Sequence, residues 1–99
     1  MPYAIEFAKS VEAHLKALSA RDRATALAAI EHQLTHEPLK ETKNRKPFRP
    51  NPIAPWELRV GGLRVFYDVA GTERGVVRIL AVGRKQRSVL AVGGKEMQL

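Results

Sequence analysis

The sequence predicts an α+β fold of order β-α-α-β-β-β, a mostly antiparallel sheet of about four strands with an N-terminal helical hairpin packed on one face. Three observations carry this prediction. Apolar residues recur at helical spacing through the first third of the chain. Gly61-Gly62 then separates two alternating apolar runs, WELRV and LRVFYDV, which is a hairpin signal. A further β-rich run, VVRILAV, leads directly into the basic stretch GRKQR.

Tyr3–Phe7 reads as a short strand, since Tyr3, Ile5 and Phe7 alternate with Ala4 and Glu6. Ala8, Val11, Leu15 and Leu18 follow at helical spacing, so the first helix is expected over about Ala8–Leu18. Ser19 with Asp22 three residues on resembles a capping box and opens a second, alanine-rich helix. Pro38 stops that helix, because a proline pushes the preceding residue out of the α region. The short turn between the helices predicts an antiparallel pair. Lys40–Pro55 then reads as a loop, with prolines at 47, 50, 52 and 55 and five basic residues before Pro50. Sixteen residues is long for a connection in a compact domain, so this loop is expected to be functional or mobile. Phe48 and Ile53 are its expected anchors.

The hairpin strands are Trp56–Val60 and Leu63–Ala70, joined by a type I′ turn with φ > 0 at both glycines. Its register sets Val60 against Leu63, Arg59 against Arg64 and Leu58 against Val65. Alternation puts Trp56, Leu58, Val60, Leu63, Val65, Tyr67 and Val69 under the helices. Glu57, Arg59, Arg64, Phe66 and Asp68 take the other face, read as open and charged. Val76–Val82 is apolar on both faces apart from Arg78, as in a central strand. Val89–Val92 is a short last strand or the start of a tail, and residues 93–99 read as a flexible tail.

With 99 residues the chain reads as a single domain, 1–99. It has no cysteine, which excludes disulfides and cysteine-based metal sites. No apolar run is long enough to span a membrane, and no secretion signal is visible, so a cytoplasmic location is expected. The formal net charge is +7, and the sequence pI is about 10.3. Residues 1–39 carry four basic and five acidic side chains, a net of −1; residues 40–99 carry thirteen and five, a net of +8. A localised basic excess of this kind is the electrostatic footprint of a nucleic-acid binder, or of a protein neutralised by an acidic partner.

Like charges directly opposite each other destabilise a sheet, so Arg59 facing Arg64 implies an anion held between them. With Lys85 and Arg87, and with Arg84 and Arg78 nearby, they form the candidate constellation. Arginine forks match phosphate geometry and keep their charge. Grouped, they stabilise the added charge of a pentavalent phosphorane, and RNA brings its own nucleophile in the 2′-OH. Cleavage would then require no metal or other cofactor. The same residues read equally well as a solvated basic face covered by a partner. Phe66 shares that face and is a candidate base-stacking ring. Lys43, Arg45, Lys46 and Arg49 of the loop are candidate phosphate anchors. Trp56 is expected in the core. His14, His32 and His36 fall on the helices; His32 and His36 are spaced i, i+4 but lack a third ligand, so helix-surface histidines are the plainer reading.

At these residues the chain resembles the RelE/ParE superfamily of bacterial type II toxins. The resemblance covers nearly the whole chain: the first strand, the helical hairpin, WELRVGGLRVFYDV and VVRILAVGRKQR. It implies a toxin neutralised by a cognate acidic antitoxin. RelE-like members cleave mRNA in the ribosomal A site without metal, whereas ParE-like members poison DNA gyrase. The expected activity is therefore ribosome-dependent mRNA cleavage, with gyrase inhibition as the alternative. Carried over residue by residue, the family's middle-strand arginine falls on Arg64, and its basic ending falls on Arg84, Lys85 and Arg87. Arg59 takes a basic position on the preceding strand. Two positions depart. Glu57 stands where the family has a lysine, and no tyrosine follows Tyr67, the family's C-terminal tyrosine position lying near Ala91. Glu57 is then the candidate acceptor of the 2′-OH proton, or simply a partner that relieves the arginine repulsion.

Overall fold

The structure is a computed structural model that describes residues 3–47, 54–70, 75–87 and 89–97. The elements run β1 (Ala4–Phe7), α1 (Val11–Lys16), α2 (Ala20–Leu34), β2 (Arg45–Pro47), β3 (Trp56–Val60), β4 (Leu63–Ala70), β5 (Val76–Gln86), β6 (Val89–Val92) and β7 (Lys95–Met97). They form one seven-stranded sheet of order β2-β3-β4-β5-β6-β7, with β1 pairing β5 in parallel. Every other pairing is antiparallel.

The α+β class and the order of the main elements are as expected. The strand count is not, because β2 lies inside the segment read as a loop and β7 inside the segment read as a tail. β1 and α1 are also shorter than expected. Ser19 Oγ accepts the Asp22 N–H at 3.1 Å and starts α2, as the sequence suggested. The helix ends at Leu34, ahead of Pro38. The hairpin register is the expected one, with Arg59 opposite Arg64. Gly61 has φ 57, but Gly62 is outside the left-handed region, which is the φ pattern of a type II′ rather than a type I′ turn.

The main core lies between the helices and one face of the sheet. Val11, Ala26, Ile30 and Leu34 pack on Leu58, Leu63, Val65, Tyr67, Val77, Ile79 and Val82. Trp56 is partly buried against this core and stacks on Tyr67, with ring centroids 6.1 Å apart. Opposite Phe66 and Tyr67, β5 carries one residue too many: Phe66 pairs with Ala81 and Tyr67 with Ile79, leaving Leu80 without an opposite number. The bulge resets the alternation, so that Ile79 and Val82 both face the helices.

The outer face is not fully open, contrary to the sequence reading. Phe66 and Ala81 form a second buried cluster there with Ala54, Leu90 and Val92. β6 folds back so closely that a Cβ on Gly83 would lie 2.4 Å from the Ala91 carbonyl oxygen. Glycine at 83 is what lets the two backbones approach.

Candidate functional site: a basic sheet face

Strand alternation assembles the outer face from four neighbouring strands. β2 sets Lys46 beside Glu57, and β3 and β4 set Arg59 beside Arg64. β5 then adds Lys85, an exposed residue whose backbone N–H donates to the Gly62 carbonyl at 2.8 Å. Arg59, Arg64 and Lys85 thus meet at the turn end of the sheet.

Within this group the charges are already organised. Arg59 Nε–H donates to Glu57 Oε1 at 2.5 Å, with the Arg59 side chain 46% exposed and the Glu57 side chain only 8%. The short bond and the burial fix the Glu57 carboxylate as an acceptor for Arg59. Arg64 Nη1 donates to the Gly61 and Leu63 carbonyls, each at 2.8 Å, which ties its guanidinium to the hairpin turn. Partial burial holds Arg64 below its ordinary pKa; Glu57 raises it, and Arg59 lowers it further.

Other sequence candidates lie elsewhere. Phe66 is completely buried in the second cluster, so it is core rather than a stacking platform. Arg45 shares the register of Leu58, which turns it to the helix side. It is 9% exposed, and its Nη1 donates to the Gln33 carbonyl at 3.0 Å and also to the Glu37 carbonyl. A guanidinium spent on a carbonyl in the last turn of α2 and on another in the turn that follows caps the helix end and is not a phosphate anchor. Arg84 is also turned to the helix side by the bulge and pairs with Asp22 of α2, Nη1 to Oδ2, at 2.9 Å. Arg78 is exposed but sits across from Asp68, four residues along β4 from Arg64 and so about 13 Å away. Lys43 is exposed in the connection before β2, and Lys46 is exposed on it. Arg87 is exposed in the turn after β5 with φ 57. Arg49, Phe48 and Ile53 lie outside the described residues.

The histidines stand apart from this face. His14 is partly buried, and its Nδ1 accepts the Val82 N–H at 3.3 Å, two residues past the bulge. Burial lowers its pKa from the ordinary 6.5. His32 and His36 line a shallow depression with Gln33, Glu37 and Arg45. Among the described residues no group of three or more metal-ligating side chains comes together. Sequence reasoning missed Asp22 as the partner of Arg84, since nothing in the local pattern reports a contact across 62 residues.

Among the described residues no helix is long and apolar enough to cross a membrane. No curated protein matches the chain. A solved toxin–antitoxin complex, RelBE2 from Mycobacterium tuberculosis, contains a chain that superposes with a TM-score of 0.72 at 27% identity, covering 86% of this chain and 100% of that one. The family model for the ParE toxin of the parDE type II toxin–antitoxin system matches residues 5–89. With that match over most of its length, and the fold and hairpin register described above, the chain belongs to the RelE/ParE superfamily of type II toxins.

Proposed function

We propose that this toxin acts by docking its basic outer face on its target without cleaving RNA, as ParE-like members do on DNA gyrase. The observation that carries this reading is the engagement of Glu57. Cleavage through the 2′-OH requires a proton acceptor within reach of the nucleophile. Glu57 is mostly buried and already accepts from Arg59 at 2.5 Å. Asp68 shares the face but lies about 13 Å along the strand from Arg64. His14 accepts from Val82 on the other side of the sheet, and His32 and His36 line the depression beside Arg45. The match to the ParE-toxin model supports the same reading.

A second reading, ribosome-dependent mRNA cleavage without metal, is favoured by the opposed Arg59 and Arg64 and by the likeness to the RelBE2 toxin. In it Arg64, Arg59, Lys85 and Arg87 stabilise the phosphorane, and Glu57 accepts the 2′-OH proton once Arg59 turns to the phosphate. In both readings an acidic antitoxin segment covers the basic face, and its binding weakens with salt.

Two assays on the folded protein separate the readings. In reconstituted translation, mRNA ends are mapped by primer extension with and without ribosomes, for wild type and Arg64→Ala. In parallel, purified gyrase is scored for trapped DNA-cleavage complexes. Gyrase trapping with intact mRNA supports the docking reading. Ribosome-dependent cuts that disappear in Arg64→Ala overturn it in favour of the nuclease.

A further inference from the structure

The helix side of the sheet carries an opening of its own, away from the basic outer face. A cavity of about 550 Å3 is lined by Arg84, Gln86, Arg87, Val89, Ala91 and Glu96, and no residue of either helix borders it. Cross-strand pairing explains the set. Arg84 lies opposite Ala91 and Ala91 opposite Glu96, so the three share one row across β5, β6 and β7. Gln86 and Val89 form the next row on the same face. The first row sets an arginine and a glutamate two strand spacings apart, about 10 Å, with an alanine between them. Val89, 41% exposed, extends that apolar floor. The volume is that of a small-ligand site.

Two features show that the cationic wall of this cavity is organised. Arg84 Nη1 donates to Asp22 Oδ2 at 2.9 Å, and the guanidinium lies close to Gly62. That pairing fixes the fork while using one of its five N–H groups. Arg87 opens the two-residue turn between β5 and β6, with φ 57. Such a position favours glycine or asparagine, and an exposed arginine gains no packing in return. Among the described residues Arg87 is the one non-glycine with positive φ, and a residue kept in that conformation points to a use for its side chain.

The order of these groups selects a ligand. Arginine forks suit a phosphate. The apolar strip beside them suits a planar ring. The carboxylate at the far end suits a ring edge with two adjacent N–H donors, and guanine presents that pair in N1–H and N2–H. Adenine offers one donor beside a lone pair, which a carboxylate repels. We propose that this cavity binds a free guanine nucleotide, with its phosphate on Arg84 and Arg87, its base over Ala91 and Val89, and its N1–H and N2–H on the Glu96 carboxylate. The site faces away from Arg59 and Arg64, so it does not depend on which target the outer face engages.

The test is equilibrium dialysis of the purified full chain against GMP, AMP and inorganic phosphate. GMP is expected to bind with Kd on the order of 10–100 µM, at least about tenfold tighter than AMP. Glu96→Gln weakens GMP about tenfold and removes the preference over AMP. Arg87→Gly relieves the turn, so thermal melts show an unchanged or higher midpoint while GMP binding falls about tenfold. Lys95→Ala removes an exposed cation from the opposite face of β7 and leaves GMP binding unchanged. A chain that takes up no GMP at about 1 mM overturns the proposal. Equal affinities for GMP, AMP and phosphate do so as well, since they mark a plain anion site. So does an Arg87→Gly variant that binds GMP normally. An oligoribonucleotide held through Glu96 where GMP is not would assign the guanine to an RNA chain and overturn the free nucleotide.

Discussion

Replacing Arg45 by methionine asks whether this arginine holds the fold or holds a ligand. Its Nη1 donates to the Gln33 and Glu37 carbonyls, and the residue is 9% exposed. Hydrogen bonds to a charged group contribute about 1.5–3 kcal/mol each, so two give about 3–6 kcal/mol. The substitution also removes a cost, because Arg45 Nε is buried with no hydrogen-bond partner and its desolvation offsets about 1–3 kcal/mol. Methionine keeps most of the apolar contact of the stem. The expected net loss is about 2–3 kcal/mol. Taken with a urea slope of roughly 1.5 kcal/mol/M for a domain of this size, the midpoint falls by about 1–2 M. Urea titration followed by the fluorescence of Trp56, the single tryptophan, measures it directly. Lys46→Met is the control, one residue on and exposed, expected within about 0.5 kcal/mol of wild type. An unchanged midpoint in Arg45→Met together with lost target or antitoxin binding would refute the capping argument and restore Arg45 as an anion anchor.

Other predictions follow from the packing and from His14. Phe66→Ala should cost about 3–5 kcal/mol in the same titration, since it empties a fully buried site; a stable variant with weakened RNA binding would make Phe66 a stacking ring after all. Gly83→Ala should lower stability by about 1–3 kcal/mol, because its Cβ would meet the backbone oxygen of Ala91 rather than a movable side chain; thermal melts decide it. His14 Nδ1 accepts the Val82 N–H and burial lowers its pKa, so its contribution is complete above the unfolded value of 6.5 and is lost as pH falls below it. Stability measured from pH 7 to pH 5 should therefore drop in wild type and drop less in His14→Gln, and equal slopes would dismiss the His14 bond to Val82.

The elements that were legible in the sequence are those whose signals are local. The α2 cap at Ser19, the glycine hairpin and the Arg59–Arg64 pairing depend on near neighbours and turn length, and all three stand in the structure. The misplaced residues depend on contacts that no short window contains. Arg45 belongs to β2, a three-residue strand that exists because β3 offers it an edge, and its fork was spent on the helix end twelve residues away and on the turn eight residues away. Phe66 was assigned correctly to the outer face, but nothing local announces that Leu90 and Val92 return to cover it. Arg84 was placed with the arginine cluster by its charge and by the family resemblance, and the extra residue in β5 turns it to the helix side instead. Of the residues proposed for the site, Arg59, Arg64 and Lys85 are gathered on the outer face with Lys46 and Glu57, while Arg84 faces the helices, Arg78 lies further along the outer face and Phe66 is buried within it.

That extra residue at Leu80 makes the address of each basic side chain a matter of counting rather than of charge. Residues before it and after it obey opposite parities, which is how Arg78 and Lys85 both point outward while Arg84 points to Asp22. Deleting Leu80 would remove the bulge without moving these side chains, because Ile79 and Ala81 already oppose the neighbours Tyr67 and Phe66; deleting Gly83 instead would leave every charged group in the chain and send Arg84 out and Lys85 to the helix side. Substitutions can tune how strongly this surface attracts a target. Within β5 a one-residue slip past the bulge moves the basic ending to the other side, and a slip between Ala81 and Val82 would pull Val82 out of the core as well. The location of the basic face is therefore locked to the core by arithmetic, while its composition remains free to vary.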